Sequence, residues 1–132
     1  MKIKLYFLAL IASFTMMTSS FAKIEELNFS NYMFKLNSAQ IAVVSFVMHN
    51  NSDDYNFQLR RHMRDASEFY EFNPLIKFYT VNVIKEPILV RQLSIKSYPT
   101  LVIYKFGQPI ASKEGLMYLD EVLQIIDENM YN

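Results

Sequence analysis

The apolar positions of the chain follow two periods, one typical of strands and one typical of helices. A nearly continuous apolar run over 41–48 predicts a central strand that is covered on both faces. The segments 76–84 and 101–106 are rich in β-branched and aromatic residues, which favour strands. A turn at Gly107-Gln108 then predicts a hairpin and a fourth strand over 109–112.

Amphipathic segments lie between these strands and predict helices, because their apolar residues recur every three or four positions. Proline marks two helix boundaries, since it disfavours the helical conformation in the residue before it and suits the first turn of a helix. The predicted helices are a short one capped by Asn28 or Ser30 and ending near Leu36, a long one from Tyr55 that ends before Asn73-Pro74, one over 86–93, and a last one over 117–130. The resulting order α, β, α, β, α, β, β, α indicates a single α/β domain.

The amino-terminal segment has the pattern of a secretory signal. Two lysines precede an apolar run over 5–17, and small residues at Ser20 and Ala22 have the spacing of a cleavage site. The run is shorter than the roughly 20 residues of a membrane span, which disfavours an uncleaved anchor. We therefore expect a signal peptide over 1–22 and an exported domain over 23–132. That domain would be periplasmic, secreted or in a secretory lumen, without membrane attachment after cleavage.

The composition excludes several function classes. The chain has 13 basic and 13 acidic side chains, and the predicted signal peptide would remove two of the lysines. A slight acidic excess remains, which argues against a nucleic-acid groove with its clustered basic residues. The chain has no cysteine, so it can form no disulfide, thiolate nucleophile or cysteine-ligated metal site. No cofactor is predicted.

The later half of the chain carries a specific family pattern. The run Val81-Asn82-Val83-Ile84, the step Tyr98-Pro99-Thr100 that opens the third main strand, and Gly115 resemble the thioredoxin family. The resemblance extends over roughly 25–130. It implies a thioredoxin-like α/β fold, with a central mixed sheet of four to five strands flanked by helices. It also implies a cis peptide bond at Pro99, which proline permits because its trans preference is only about 0.5–1 kcal/mol.

One part of the family pattern is missing. Members carry two cysteines separated by two residues before the long helix, with an aromatic residue in front of the first. This chain has Asn50 in the aromatic position, and in place of the redox motif it has Asn51-Ser52-Asp53-Asp54. Ser45 stands where the family has a buried acid. We therefore expect no thiol–disulfide exchange and no catalytic residues, and we interpret Asp53 and Asp54 as acids that stabilise the helix start.

The resemblance also implies a binding surface. Family members pair the backbone before the cis proline with an extended substrate strand, and Tyr98 holds that place. The hypothesis is a redox-inactive module that binds an extended polypeptide, as a chaperone, adaptor or assembly subunit. Its candidate binding residues are Asn50, Asn51, Tyr98, Pro99 and Gly115.

Two alternatives stay open at this point. The protein could be a structural or interaction subunit that uses another face, such as the arginines at 60, 61 and 64 or the last helix. Alternatively, His49, Asp53, Asp54 and His62 could form a metal site, or His49 and the aspartates could serve a cysteine-free enzyme. The metal site is disfavoured, because His62 lies about 12 Å along the predicted helix from Asp54 at 1.5 Å per residue. The chain also has two glycosylation sequons, at Asn28 and Asn50. A glycan at Asn50 would shield the predicted peptide-binding surface.

Overall fold

A computed structural model describes residues 24–49 and 54–131 of the chain. The predicted signal peptide and the loop residues Asn50, Asn51, Ser52 and Asp53 lie outside the described residues. The elements are β1 (Glu25–Glu26), α1 (Tyr32–Ser38), β2 (Ile41–Val47), α2 (Tyr55–Phe69), β3 (Ile76–Asn82), α3 (Pro87–Gln92), β4 (Thr100–Lys105), β5 (Gln108–Glu114) and α4 (Leu119–Met130).

The strands form a mixed sheet in the order β1-β3-β2-β4-β5. Strand β3 runs parallel to β1 and β2, whereas β4 is antiparallel to both β2 and β5. The mixed sheet confirms the predicted fold class. The sequence did not indicate β1, because its two residues are exposed and too few to show a period.

Strand β2 supplies side chains to two separate cores. All seven of its residues are buried, and side chains alternate between the two faces of a strand. Ala42, Val44 and Phe46 pack in one core with residues of α1 and α3. The opposite core contains Ile41, Val43 and Val47 with residues of α2 and α4. The continuous apolar run of this segment therefore reflects helices on both faces of the sheet.

The start of α1 differs from the prediction. The helix begins at Tyr32 with Asn31 in the cap position, and neither Asn28 nor Ser30 caps it. Instead the Asn28 side-chain oxygen accepts hydrogen bonds from the backbone amides of Ser30 and Asn31, both at 2.9 Å. Asn28 thus closes a turn before the helix, because a short amide side chain competes for nearby backbone donors.

The hairpin between β4 and β5 is shifted by one residue from the prediction. Phe106 and Gly107 both have positive φ, 48° and 85°, as a two-residue turn matching the strand twist requires. Glycine suits position 107 because a φ of 85° strains other residues, and a Cβ there would also force the Asn37 side chain to move. Strand β5 is longer than predicted and extends to Glu114, because its exposed residues alternate too weakly for the sequence to mark its end.

Removal of core volume should destabilise the protein much more than the same change on the surface. Ile126 of α4 is fully buried and Ile88 of α3 is 56% exposed. We expect Ile126→Ala to lower the free energy of unfolding by about 2–5 kcal/mol, because the buried site loses contacts and leaves a cavity. Ile88→Ala should change it by less than about 0.5 kcal/mol. Urea unfolding followed by circular dichroism measures both; equal effects would contradict the packing described.

Candidate functional site

The loop before β4 contains the predicted proline geometry. The Tyr98–Pro99 peptide bond is cis. The Pro99 carbonyl accepts a hydrogen bond of 2.9 Å from the backbone amide of Gly115, which has a φ of +83°. The backbone amide and carbonyl of Tyr98 have no hydrogen-bond partner among the described residues. Within the described part of the chain, the loop therefore presents one backbone donor and one backbone acceptor without partners.

Asp54 caps the helix that faces this loop. It has an extended backbone, and its carboxylate accepts a hydrogen bond from the Phe57 amide at 3.1 Å. The Asp54 carbonyl accepts the first helical bond, from the Gln58 amide at 3.0 Å. The predicted capping role is thus confirmed for Asp54, and the role of Asp53 stays a prediction.

Next to Asp54, the side chain of Asn56 ties α2 to the end of the central strand. Its oxygen accepts a hydrogen bond of 2.9 Å from the Met48 amide, directly after β2. Asn56 is buried, so this bond satisfies a polar group that would otherwise be costly to bury. It fixes the first turn of α2 relative to the sheet.

A cleft of about 320 Å³ lies between the start of α2 and the Tyr98–Pro99 loop. It brings together Asp54, Tyr98 and Pro99 of the predicted site, whereas Gly115 contacts the cleft only through its bond to Pro99. Tyr55, Asn56 and Gln58 also line it, and no sequence pattern indicated them as site residues. The Tyr55 side chain is 52% exposed, although it begins an amphipathic helix.

His49 lies at the end of β2, away from the cleft lining. Burial and the nearby Arg60 guanidinium lower the pKa of the His49 imidazole, and Glu26 acts weakly in the opposite direction. Among residues 24–49 and 54–131, no group of three histidine or acidic side chains is arranged to hold a metal ion. Over the same residues, no helix is both long and apolar enough to cross a membrane.

The mixed five-strand sheet, the helices on both faces and the cis proline opposite a helix start define a thioredoxin-fold protein. Residues 58–128, more than half of the chain, match the family model described as Thioredoxin, so the chain belongs to the thioredoxin family. Because the sequence has no cysteine, it lacks the thiols for thiol–disulfide exchange. That conclusion concerns this one reaction and no other chemistry.

Solved structures with the same fold include human ERp44, in form I and in a zinc-bound form. Form I has a TM-score of 0.72 and 21% identity, and the match covers 83% of this chain but 30% of the ERp44 chain; the zinc-bound form matches equally well. This chain thus spans less than a third of the length of ERp44. Chloroplastic thioredoxin z has a TM-score of 0.68 and 21% identity, with 80% of this chain and 93% of that chain covered. A designed protein matches similarly, with a TM-score of 0.69 and 20% identity over 84% of this chain and 96% of its own.

At these identities the likeness shows the fold alone. A search of curated protein sequences gave no match.

The capping bond of Asp54 should contribute measurably to stability. We expect Asp54→Ala to lower the free energy of unfolding by about 0.5–2 kcal/mol, because the Phe57 amide loses its acceptor. Asp65→Ala is a matched control, since Asp65 is exposed within the same helix, and should stay within about 0.5 kcal/mol. Chemical denaturation measures both. Equal stabilities of the two variants would show that the cap contributes nothing.

The lowered pKa of His49 should make the fold less stable in mild acid. Below about pH 6.5 the unfolded chain binds a proton at this imidazole while the folded chain resists it, so stability falls as the pH decreases. His49→Gln should therefore flatten the dependence of the melting temperature on pH below 6.5. His62→Gln serves as the control. It should retain the part of the pH dependence of the melting temperature that His49 causes. An unchanged slope in His49→Gln would contradict the assignment.

Proposed function

We propose that this chain is an exported, redox-inactive thioredoxin-like protein that binds an extended polypeptide in the cleft beside Tyr98. In this role it would act as a chaperone, adaptor or assembly subunit. The observation that carries the proposal is the pair of backbone groups at Tyr98 without partners in the described part of the chain. An extended segment could pair with both groups in the manner of an added strand.

The side chains around the cleft suit such a segment. Tyr55 and Tyr98 are 52% and 39% exposed and stand on either side of it. Tyrosine rings offer a large apolar surface with a polar tip, which suits contacts with varied side chains at low entropic cost. Asp54 and Gln58 add polar groups at the rim. The main-chain pairing would supply affinity. The side chains around the cleft would add a modest selectivity.

One fold neighbour supports protein recognition by this scaffold. The structure of chloroplastic thioredoxin z defines a novel type-specific target recognition. Fold alone does not fix function, so the argument depends on the cleft of this chain.

A second candidate function uses another face of the molecule. Phe29, Met33 and Phe34 around α1 are 53%, 62% and 77% exposed, a local concentration of apolar side chains. Exposed apolar patches of this kind mark interaction surfaces in many proteins. The protein would then be a structural or interaction subunit with an unused cleft.

The two candidates predict different effects of single substitutions. The probe is a fluorescent, unfolded polypeptide with alkylated cysteines, and the measurement is its anisotropy on titration with the protein. If the cleft binds, Tyr98→Asp should weaken binding by roughly tenfold or more, because it places an unpaired charge in the contact. Tyr131→Asp, at an 84% exposed tyrosine outside the cleft, should leave binding unchanged.

The variant Phe34→Asp tests the other face. Loss of binding in Phe34→Asp with normal binding in Tyr98→Asp would overturn the cleft proposal in favour of the second candidate. Circular dichroism and melting temperatures of all three variants establish that they are folded. The absence of any binding by the unaltered protein would overturn both.

A further inference from the structure

A second cavity, of about 490 Å³, lies between α2 and the β1–β3–β2 part of the sheet. None of the residues that line it lines the cleft beside Tyr98. Its floor contains Ser45 of β2 and Thr80 of β3, which are neighbours in the parallel register. The volume lies within the roughly 300–1,000 Å³ of small-molecule sites.

Two buried polar atoms in this cavity have no hydrogen-bond partner in the part of the chain that the structure describes. They are the hydroxyl oxygen of Ser45 and Nε2 of His49. Ser45 is only 1% exposed, and it lies between apolar neighbours on the central strand. Buried polar groups in folded proteins are nearly always paired, so these two atoms mark a polar wall beside the cavity.

The charged side chains around the cavity have both signs. Arg60 and Arg64 come from successive turns of α2, which places two guanidinium groups on the helix side. Glu26 comes from the sheet side, where it is in register with Thr80. Glu68 follows one turn after Arg64 on the helix. A simple anion would meet two carboxylates and a simple cation would meet two arginines, so a ligand that carries both charges fits best.

The remaining lining residues are apolar. They are Ile24, which is partly exposed, and Met63, which belongs to the core under α2, so Ile24 supplies the accessible apolar surface. Burial of an aliphatic group against it would add affinity. The cavity thus offers donors for a carboxylate, an acceptor for an ammonium group and a surface for a short apolar chain.

We propose that this cavity binds a small zwitterion of the α-amino-acid class with an aliphatic side chain. Its carboxylate contacts the guanidinium groups of Arg60 and Arg64. Its ammonium group contacts Glu26, and its side chain packs against Ile24. The site is independent of the polypeptide cleft and of its proposed function.

The charge requirement can be tested with three probes of similar shape. Calorimetric titration of the full chain with leucine should give saturable one-to-one binding, with a dissociation constant on the order of 1 mM or tighter. The carboxylate 4-methylpentanoate and the amine 3-methylbutylamine each lack one charged group, and we expect both to bind at least about tenfold more weakly. No saturable leucine binding, or equal binding of either analogue, would overturn the proposal.

Neighbouring arginines provide a matched pair of variants. Arg60→Gln should weaken leucine binding by roughly tenfold, because a charge-assisted hydrogen bond is lost. Arg61→Gln should have no effect, since Arg61 lies 6.0 Å over the Phe57 ring and does not line the cavity. Equal affinities of these two variants would contradict the assigned site.

A further pair of variants tests the floor and the ammonium contact. Ser45→Ala should raise the melting temperature of the ligand-free protein, because a buried hydroxyl without a partner in the described part of the chain is removed. Glu26→Gln should weaken leucine binding but not that of 4-methylpentanoate, whereas Glu71→Gln, at an exposed acid outside the cavity, should alter neither. Tyr98→Asp must leave leucine binding intact, so failure at this site and failure at the cleft are distinguishable.

Discussion

Complete burial of strand β2 is the constraint on which the rest of the structure depends. Its side chains fill two cores that lie on opposite faces of the sheet, so neither helical layer could pack without it. The chain has no cysteine to form a disulfide, and this two-sided packing is therefore the main source of stability. The strand also fixes geometry outside the cores, because the Met48 amide at its end holds Asn56 of α2.

That geometry brings distant parts of the chain together at the cleft. Asp54 at the start of α2 and Tyr98 before β4 are far apart in sequence, but β2 and β4 are adjacent antiparallel strands. The end of one strand therefore lies beside the start of the other. The family scaffold is retained at this point, with the helix start capped by a carboxylate and the Pro99 carbonyl held by Gly115. What the chain lacks is the pair of thiols.

The interior behind the cleft also differs from the family pattern. The resemblance to the thioredoxin family implies an acid at position 45, where this chain has a serine whose hydroxyl is buried without a partner among the described residues. This serine lines a polar cavity that is bordered by both arginines and glutamates. The first turns of α2 thus separate two surfaces, with Asn56 and Gln58 on the cleft and Arg60 and Arg64 on the cavity.

The sequence by itself determined the fold class, because the apolar run of β2, the pattern of α2 and the Tyr98-Pro99-Thr100 step are all local signals. It also determined the absence of thiol chemistry and the capping role of Asp54. It did not reveal β1, whose two residues become a strand only by pairing with β3. Nor could it place Tyr55 in the cleft, because helical periodicity gives the spacing of apolar residues but not which of them the sheet covers. The cavity was decided by tertiary structure alone, since its lining comes from three strands and a helix and no sequence period connects them.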